Sequence, residues 1–347
     1  MTRPTLSVIV PTYGRWQHIG PLLDTVLSQS FDDWECVICE DGSPSEAMVR
    51  EVVDRYAPRA AGRLRYYANH ETLGYDGNFR RLVELARGRF VFVMGDDDFV
   101  APGAFAAAAR TIAKYPNLGV ILRVFATFVG APDRLLQVSR YYPHECRFDA
   151  GPRAIVACFR RLVVMSGLVL HRDLAQAAAT DRWDGTLFYQ HWLAANILME
   201  KDAVYVPDIM AYYRLGGTPV FGKAKAEQDR FTPGVHPPNT DLRMVEGMMA
   251  IARGIDTALN VHVADAIERD FANYMYSTLA HQAHVSRKEF RQFYHDLGAL
   301  GFDEYWSFHA WYWAISALGA SNVDRGIRFL RRVLGSTPNL SASTRPS

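Results

Sequence analysis

The stretch Arg89-Phe90-Val91-Phe92-Val93-Met94-Gly95-Asp96-Asp97-Asp98-Phe99 decides how this chain is read. Its first half is apolar and β-prone, the pattern of a buried strand. That strand ends in three adjacent carboxylates. Like charges this close repel, and burying them is costly unless a cation is bound. Hard divalent ions such as Mg2+ and Mn2+ take oxygen ligands and share them with substrate phosphates. The acidic knot therefore reads as a metal site that presents a diphosphate, against the alternative of a solvated acidic turn.

Outward from the knot, the first 120 residues alternate strand and helix signals, which predicts an α/β fold with a mainly parallel sheet. A strand over 6–10 is expected to stop at Pro11, and a helical stripe covers 19–30. Strands are predicted over 34–39 and 64–68, with helices over 46–56 and 78–86. Polar loops follow the strands, and open α/β sheets bind ligands outside the carboxyl ends of their strands. Thr12-Tyr13, Glu40-Asp41 and Asp96 to Asp98 should then converge. Further on, 118–128 and 162–170 read as strands, 187–200 as a helix and 203–213 as a strand and turn. Residues 216–239 are rich in Gly and Pro and carry Lys223, Lys225, Arg230 and His236, which suits a lid or a disordered connection. The pattern is helical from about 240 to 334, and the tail over 336–347 is expected to be disordered.

The whole chain narrows the classes. Its 347 residues allow one large domain or two moderate ones, and 38 basic against 37 acidic residues leave no global field for nucleic acid. No signal peptide is expected at the N-terminus, and no apolar run reaches the roughly 18 to 20 residues that span a bilayer. Cys36 and Cys39 are spaced C-x-x-C but lie on one strand-like segment, so their side chains should point to opposite faces. They and Cys146 and Cys158 read as core thiols of a reducing, cytoplasmic compartment.

No G-x-G-x-x-G follows the first strand and no G-x-x-x-x-G-K-[ST] occurs, so a glycine-rich phosphate loop is not the device here. The ordered set Ser7-Val8-Ile9-Val10-Pro11-Thr12-Tyr13, LLDTVLSQ from Leu22, ECVICEDGS from Glu35, then Ala86-Arg87-Gly88 before the knot and Pro102-Gly103 after it, resembles the family 2 inverting glycosyltransferases of GT-A fold. The resemblance covers about 5–110 and thins toward 215. It implies a glycosyltransferase domain over 1–215, with a nucleotide-binding half (1–120) and an acceptor half (121–215). A loop or lid over 216–240 and a helical C-terminal region over 241–335 follow.

The resemblance implies that Pro11, Thr12, Tyr13 and Asp41 bind the nucleoside of a UDP-, dTDP- or GDP-linked sugar. Arg15, Asp76 and Asp96 join them as donor-binding candidates, and Arg80 or Arg81 would reach the diphosphate. Asp97 and Asp98 would hold Mn2+ or Mg2+, with Asp97 the favoured ligand, or Asp96 and Asp98 would act as a literal D-x-D pair. Three departures stand out: Gly95 where the family's first Asp sits, Gly14 where Asn is frequent, and Phe79-Arg80 in place of Arg-Asn. Gln190-His191 occupies the position of the family's Glu-Asp pair, so His191 is the candidate base, with Asp184 in reserve. Tyr213-Arg214 is present without its usual following His. Arg214, Lys223 and His236 are therefore the residues expected to close over the diphosphate.

Near the C-terminus, Tyr305 to Trp313 is dense in aromatics and is followed by Arg325, Arg328, Arg331 and Arg332. This suits helical packing or a homodimer contact, or peripheral contact with the inner face of a membrane carrying a lipid-linked acceptor. The resulting expectation is a metal-dependent transferase moving a sugar from a nucleotide donor to a saccharide or lipid-linked hydroxyl. Its rivals are a catalytically silent nucleotide- or glycan-binding protein and a sugar nucleotidyltransferase.

Overall fold

The computed structural model describes residues 3–284, 286–338, 340–341 and 344. The strands are β1 (Leu6–Thr12), β2 (Trp34–Glu40), β3 (Leu64–Ala68), β4 (Phe90–Val93) and β5 (Phe99–Val100), then β6 (Leu118–Phe128), β7 (Leu135–Ser139), β8 (Cys146–Phe148), β9 (Val169–His171) and β10 (Asp202–Arg214). Around them lie α1 (Trp16–Leu27), α2 (Glu46–Tyr56), α3 (Gly74–Leu85), α4 (Ala104–Lys114), α5 (Pro152–Phe159), α6 (Arg172–Ala177) and α7 (Tyr189–Glu200). The C-terminal region is helical: α8 (Pro238–Leu259), α9 (Ala264–Asn273), α10 (Tyr276–Gln282), α11 (Arg287–Ala299), α12 (Trp306–Leu318) and α13 (Ala320–Leu334).

The sheet runs β3-β2-β1-β4-β9-β6-β10-β5, with β7 on β6 and β8 on β10. The first four strands in that order are parallel, β6 and β10 are parallel, and β9 joins the two groups antiparallel to both its neighbours. Alternation along the strands divides the core. Val8, Val10, Cys36, Ile38 and Phe92 pack with Leu22 of α1, Val49 of α2 and Phe105 of α4. Ile9, Val37, Cys39, Val91 and Val93 face the other way, toward Phe79 of α3 and Leu193 of α7. Cys36 and Cys39 thus lie on opposite faces as expected, and burial pushes both thiols up to about 12.

Pro11 does not stop β1, which continues to Thr12. Met94 donates to the Ile9 carbonyl and Asp41 to that of Thr12, so alternate residues turn toward β4 and β2. Pro11 turns its missing N–H toward β4, which has already left the ladder after the Ile9–Val93 pair. Helix α3 begins at Gly74, four residues earlier than its apolar spacing predicts, because caps distant in sequence satisfy its first amides.

The strand expected over 162–170 shrinks to β9. Residues 161–166 instead form a wall braced by the fully buried Arg123, which donates to the carbonyls of Ser166 (2.9 Å), Arg161 (3.3 Å) and Val164. The helical region docks through Arg160 on Asp270 (2.9 Å) and through Phe159 edge-on to Phe271 (6.1 Å), and within it Tyr294 stacks on Tyr312 at 3.9 Å. The tail is not loose where it is described: Thr337 donates to the Arg140 carbonyl, and Tyr274 donates its hydroxyl to that of Pro338. The rest of that prediction, at 339, 342–343 and 345–347, lies outside the described residues. Among the described residues no helix is long and apolar enough to cross a membrane.

Candidate active site

At the carboxyl ends of β1, β2 and β4 lies a cavity of about 320 Å³, within the size range of small-ligand sites. Pro11, Thr12, Tyr13, Asp41 and Asp96 line it from the strand ends, as the sequence predicts for converging loops. Tyr75 and Asn78 line it from α3, Val163 to Met165 from the Arg123-braced wall, and Gln190 from α7. Val220, Phe221, Lys223 and Glu227 close it from the loop over 215–237.

The three carboxylates of the knot have different jobs. Asp96 accepts from the Thr12 hydroxyl (2.7 Å) and from Arg15 Nη1 (3.0 Å), and Asp97 Oδ2 lies 2.8 Å from that same nitrogen. Burial, opposed by Arg15, pushes Asp96 up to about 6. Asp98 turns away: it accepts from the Ser166 hydroxyl and from the Arg214 amide at 2.8 Å, and burial pushes it up to about 7. The pair that converges on a cation is therefore Asp96 and Asp97, not Asp97 and Asp98. The cation on them is the Arg15 guanidinium, whose other arm donates to the Thr218 carbonyl of the loop at 2.6 Å.

Asp41 accepts from Asn69 Nδ2 (2.8 Å) and from the amides of Leu73 (2.9 Å) and Gly74 (2.8 Å). Burial still pushes it up to about 6. Of roughly four acceptor positions on a carboxylate, one is left to face a ligand. Glu227 completes the start of α3 by accepting from the Tyr75 amide (2.8 Å), and its second oxygen accepts from the Gly222 amide (2.7 Å). Glu227 was not anticipated from sequence, since nothing around it marks a buried acid in a polar loop.

Several expected site residues lie elsewhere. His191 is fully buried between Phe159 and Phe188, with ring centroids 4.6 and 5.4 Å away. Desolvation pushes it down to about 3, so it stays neutral and out of reach of the cavity. Gln190, its neighbour, is the one that faces in, with Oε1 accepting from the Tyr75 hydroxyl at 3.0 Å. Asp184 is held bidentate by Arg80, at 2.5 and 2.9 Å, so the two satisfy each other away from the cavity. Arg81 pairs with Glu84 on the helix surface. Asp76 accepts from the amides of Leu187 (2.8 Å) and Tyr189 (3.0 Å), holding the start of α7 rather than facing a ligand. Arg214 clamps the Asp97 carbonyl (2.9 Å) and that of Gly130 (2.6 Å). Lys223 reaches the site, with Nζ 4.9 Å from the Tyr13 ring centroid, whereas His236 pairs with Asp241 outside it.

Residues 7–162 match the model of the family described as Glycosyl transferase family 2. A GalNAc(5)-diNAcBac-PP-undecaprenol beta-1,3-glucosyltransferase of Campylobacter jejuni is 31% identical over 102 residues, covering 29% of this chain and 32% of that protein. The abequosyltransferase RfbV of Salmonella typhimurium is 29% identical over 101 residues, covering 29% and 30%. The match thus spans about a third of these relatives' length. Among solved structures, S. aureus TarS 1-349 in complex with UDP-GlcNAc aligns with a TM-score of 0.59 at 18% identity, covering 85% of this chain and 80% of that one. The mannosyltransferase PcManGT of Pyrobaculum calidifontis, in complex with GDP-Man and Mn2+, aligns at 0.51 and 17%, covering 92% and 88%. The fold is GT-A. Over residues 7–162 the chain is similar to the family 2 glycosyltransferases.

Proposed function

We propose that this protein transfers a glycosyl group from a nucleotide-sugar to a hydroxyl of a saccharide or lipid-linked acceptor, with inversion and with a divalent metal. The observation that carries this reading is the convergence of Asp96 and Asp97 on one cation at the rim of a strand-end cavity. Two carboxylates already sharing a guanidinium fit a hard ion, and Mn2+ or Mg2+ bound there would neutralise charge on the departing diphosphate. Thr12 orients Asp96, Asp41 keeps one acceptor position for the donor's base or ribose, and Lys223 adds positive charge from the loop. The Campylobacter relative, named for an undecaprenol-linked substrate, supports a lipid-linked acceptor, and the structural neighbours with UDP-GlcNAc or GDP-Man support a nucleotide-sugar donor.

With Gln190 in the cavity and His191 buried, the base falls to Glu227. Among the cavity-lining residues only Asp41, Asp96 and Glu227 are carboxylates, and the first two belong to the donor end. Each Glu227 oxygen holds one backbone N–H and keeps an acceptor position. Donor turnover in Glu227→Gln is expected to fall by about two to four orders of magnitude in kcat with KM less changed.

The same amide at Gln190 favours a second reading, a nucleotide-binding protein of this fold without turnover. A thermal-shift screen of UDP-, dTDP- and GDP-sugars with Mn2+, followed by transfer assays on the stabilising donor, tests both. Transfer that disappears in Asp97→Ala supports the enzyme; stabilisation without turnover on a broad acceptor panel overturns it.

A further inference from the structure

Outside the cavity, three ligating side chains from separate elements meet where the loop over 215–237 joins the helical region. His236 closes the loop, Asp241 is in the first turn of α8, and His281 is in α10. Asp241 Oδ1 lies 2.8 Å from His236 Nε2, and its Oδ2 lies 2.6 Å from His281 Nδ1. One ligand atom from each of the three lies within 4.8 Å of the others, and the two rings meet edge to face with centroids 5.5 Å apart. Gln282 donates Nε2 to Asp241 Oδ2 at 2.5 Å, the kind of outer hydrogen bond that orients a ligating carboxylate.

We propose that His236, Asp241 and His281 form a binding site for Zn2+, separate from the Asp96-Asp97 pair. The donor set decides the metal. Two imidazoles and one carboxylate suit a borderline ion, and zinc takes such three-residue sets with a fourth position open to water. Mg2+ prefers all-oxygen surroundings, which this cluster lacks. Tetrahedral zinc distances of about 2.0 to 2.2 Å set ligand atoms roughly 3.4 Å apart, so the two Asp–His contacts open slightly while the more distant atoms draw in. His281 is more than half exposed, so an ion has a route in.

A bound ion would tie the loop to two helices at once. Phe221 packs edge-on against His236 with centroids 6.4 Å apart and also lines the cavity. The zinc site thereby fixes one support of the cavity rim without touching the ligand.

The test is equilibrium dialysis of the metal-stripped full chain against Zn2+, with Co2+ absorption spectra as a second readout. Wild type and Asp97→Asn are expected to bind one Zn2+ that excess Mg2+ does not displace. His236→Gln and His281→Gln should each weaken that binding by at least about 100-fold and lose the visible Co2+ bands, with unchanged circular dichroism. Uptake unaltered by His281→Gln, uptake lost in Asp97→Asn alone, or no zinc bound by wild type would overturn the proposal.

Discussion

A Cβ at position 95 would stand 2.8 Å from Asp98 Oδ2 and 3.3 Å from the Ser166 hydroxyl. Gly95 and Asp98 therefore belong together: Asp98 folds back into the room that an acidic residue at 95 would fill. Gly95→Ala is expected to destabilise the fold by about 1 to 3 kcal/mol, read by urea denaturation. At the same scale, the raised carboxylates impose two opposite pH trends. Asp96, lifted by burial to about 6, must be ionised to hold a cation. Mn2+ affinity should therefore hold above about pH 6 and fall roughly tenfold per unit below it, as calorimetric titrations would record. For stability the sign reverses. Burial raises Asp41, Asp76, Asp96 and Asp98 above the ordinary aspartate value of about 4, so each favours folding fully below that value and loses this as pH rises toward about 6 or 7. The melting temperature is expected to increase as pH falls from about 7.5 to 5; a decrease over that window would contradict these shifts.

At the scale of the element, the loop over 215–237 is a wall of the cavity. A Cβ on Gly185 would lie 2.1 Å from the Ala226 carbonyl oxygen, and one on Gly74 would lie 2.5 Å from Glu227 Oε1. These close passes pin the second half of the loop, whereas 216–221 is held by Arg15 on the Thr218 carbonyl and by Phe221 against His236. Gly185→Ala should expose 222–231 to limited proteolysis and raise the donor KM. The sequence shows the strands bearing the site almost to the residue, because apolar runs ending in polar loops leave little ambiguity. It shows Asp41 and Asp96 because strand ends converge. It does not show Glu227 or the early start of α3, since a cap supplied across 152 positions leaves no periodicity. His191 misleads for a related reason. A match in position to an acidic pair says nothing of which neighbour turns into the cavity, and on α7 it is Gln190 that does.

Across the whole molecule, the C-terminal helices leave an unusual surface. Trp306, Trp313, Phe329 and Val333 are 80%, 66%, 65% and 66% exposed, and Arg325, Arg328 and Arg332 sit along α13 beside this stripe. Buried apolar area plus about 1 kcal/mol per basic residue near an anionic surface is enough to expect binding to phosphatidylglycerol vesicles. Co-sedimentation should show it, with loss in Phe329→Asp/Val333→Asp and at high salt; equal binding to neutral vesicles would argue against it. From sequence the same residues read equally as packing or a dimer contact. Only the structure separates Trp311, whose Nε1 donates to the Asn273 carbonyl, from the exposed Trp306 and Trp313.

The guanidinium resting on Asp96 and Asp97 has a consequence for the order in which the site is assembled. A divalent ion arriving alone must evict a charge that is tethered to the chain and has nowhere to go. One arriving with a nucleoside diphosphate offers the evicted Arg15 a new anionic partner at once. Metal and donor should then enter as a single complex: Mn2+ binds weakly by itself, and at least about tenfold more tightly once UDP or GDP is present. By linkage, the metal tightens the nucleotide to the same degree. Arg15→Gln should erase that coupling, leaving a site that takes up metal without waiting for its substrate.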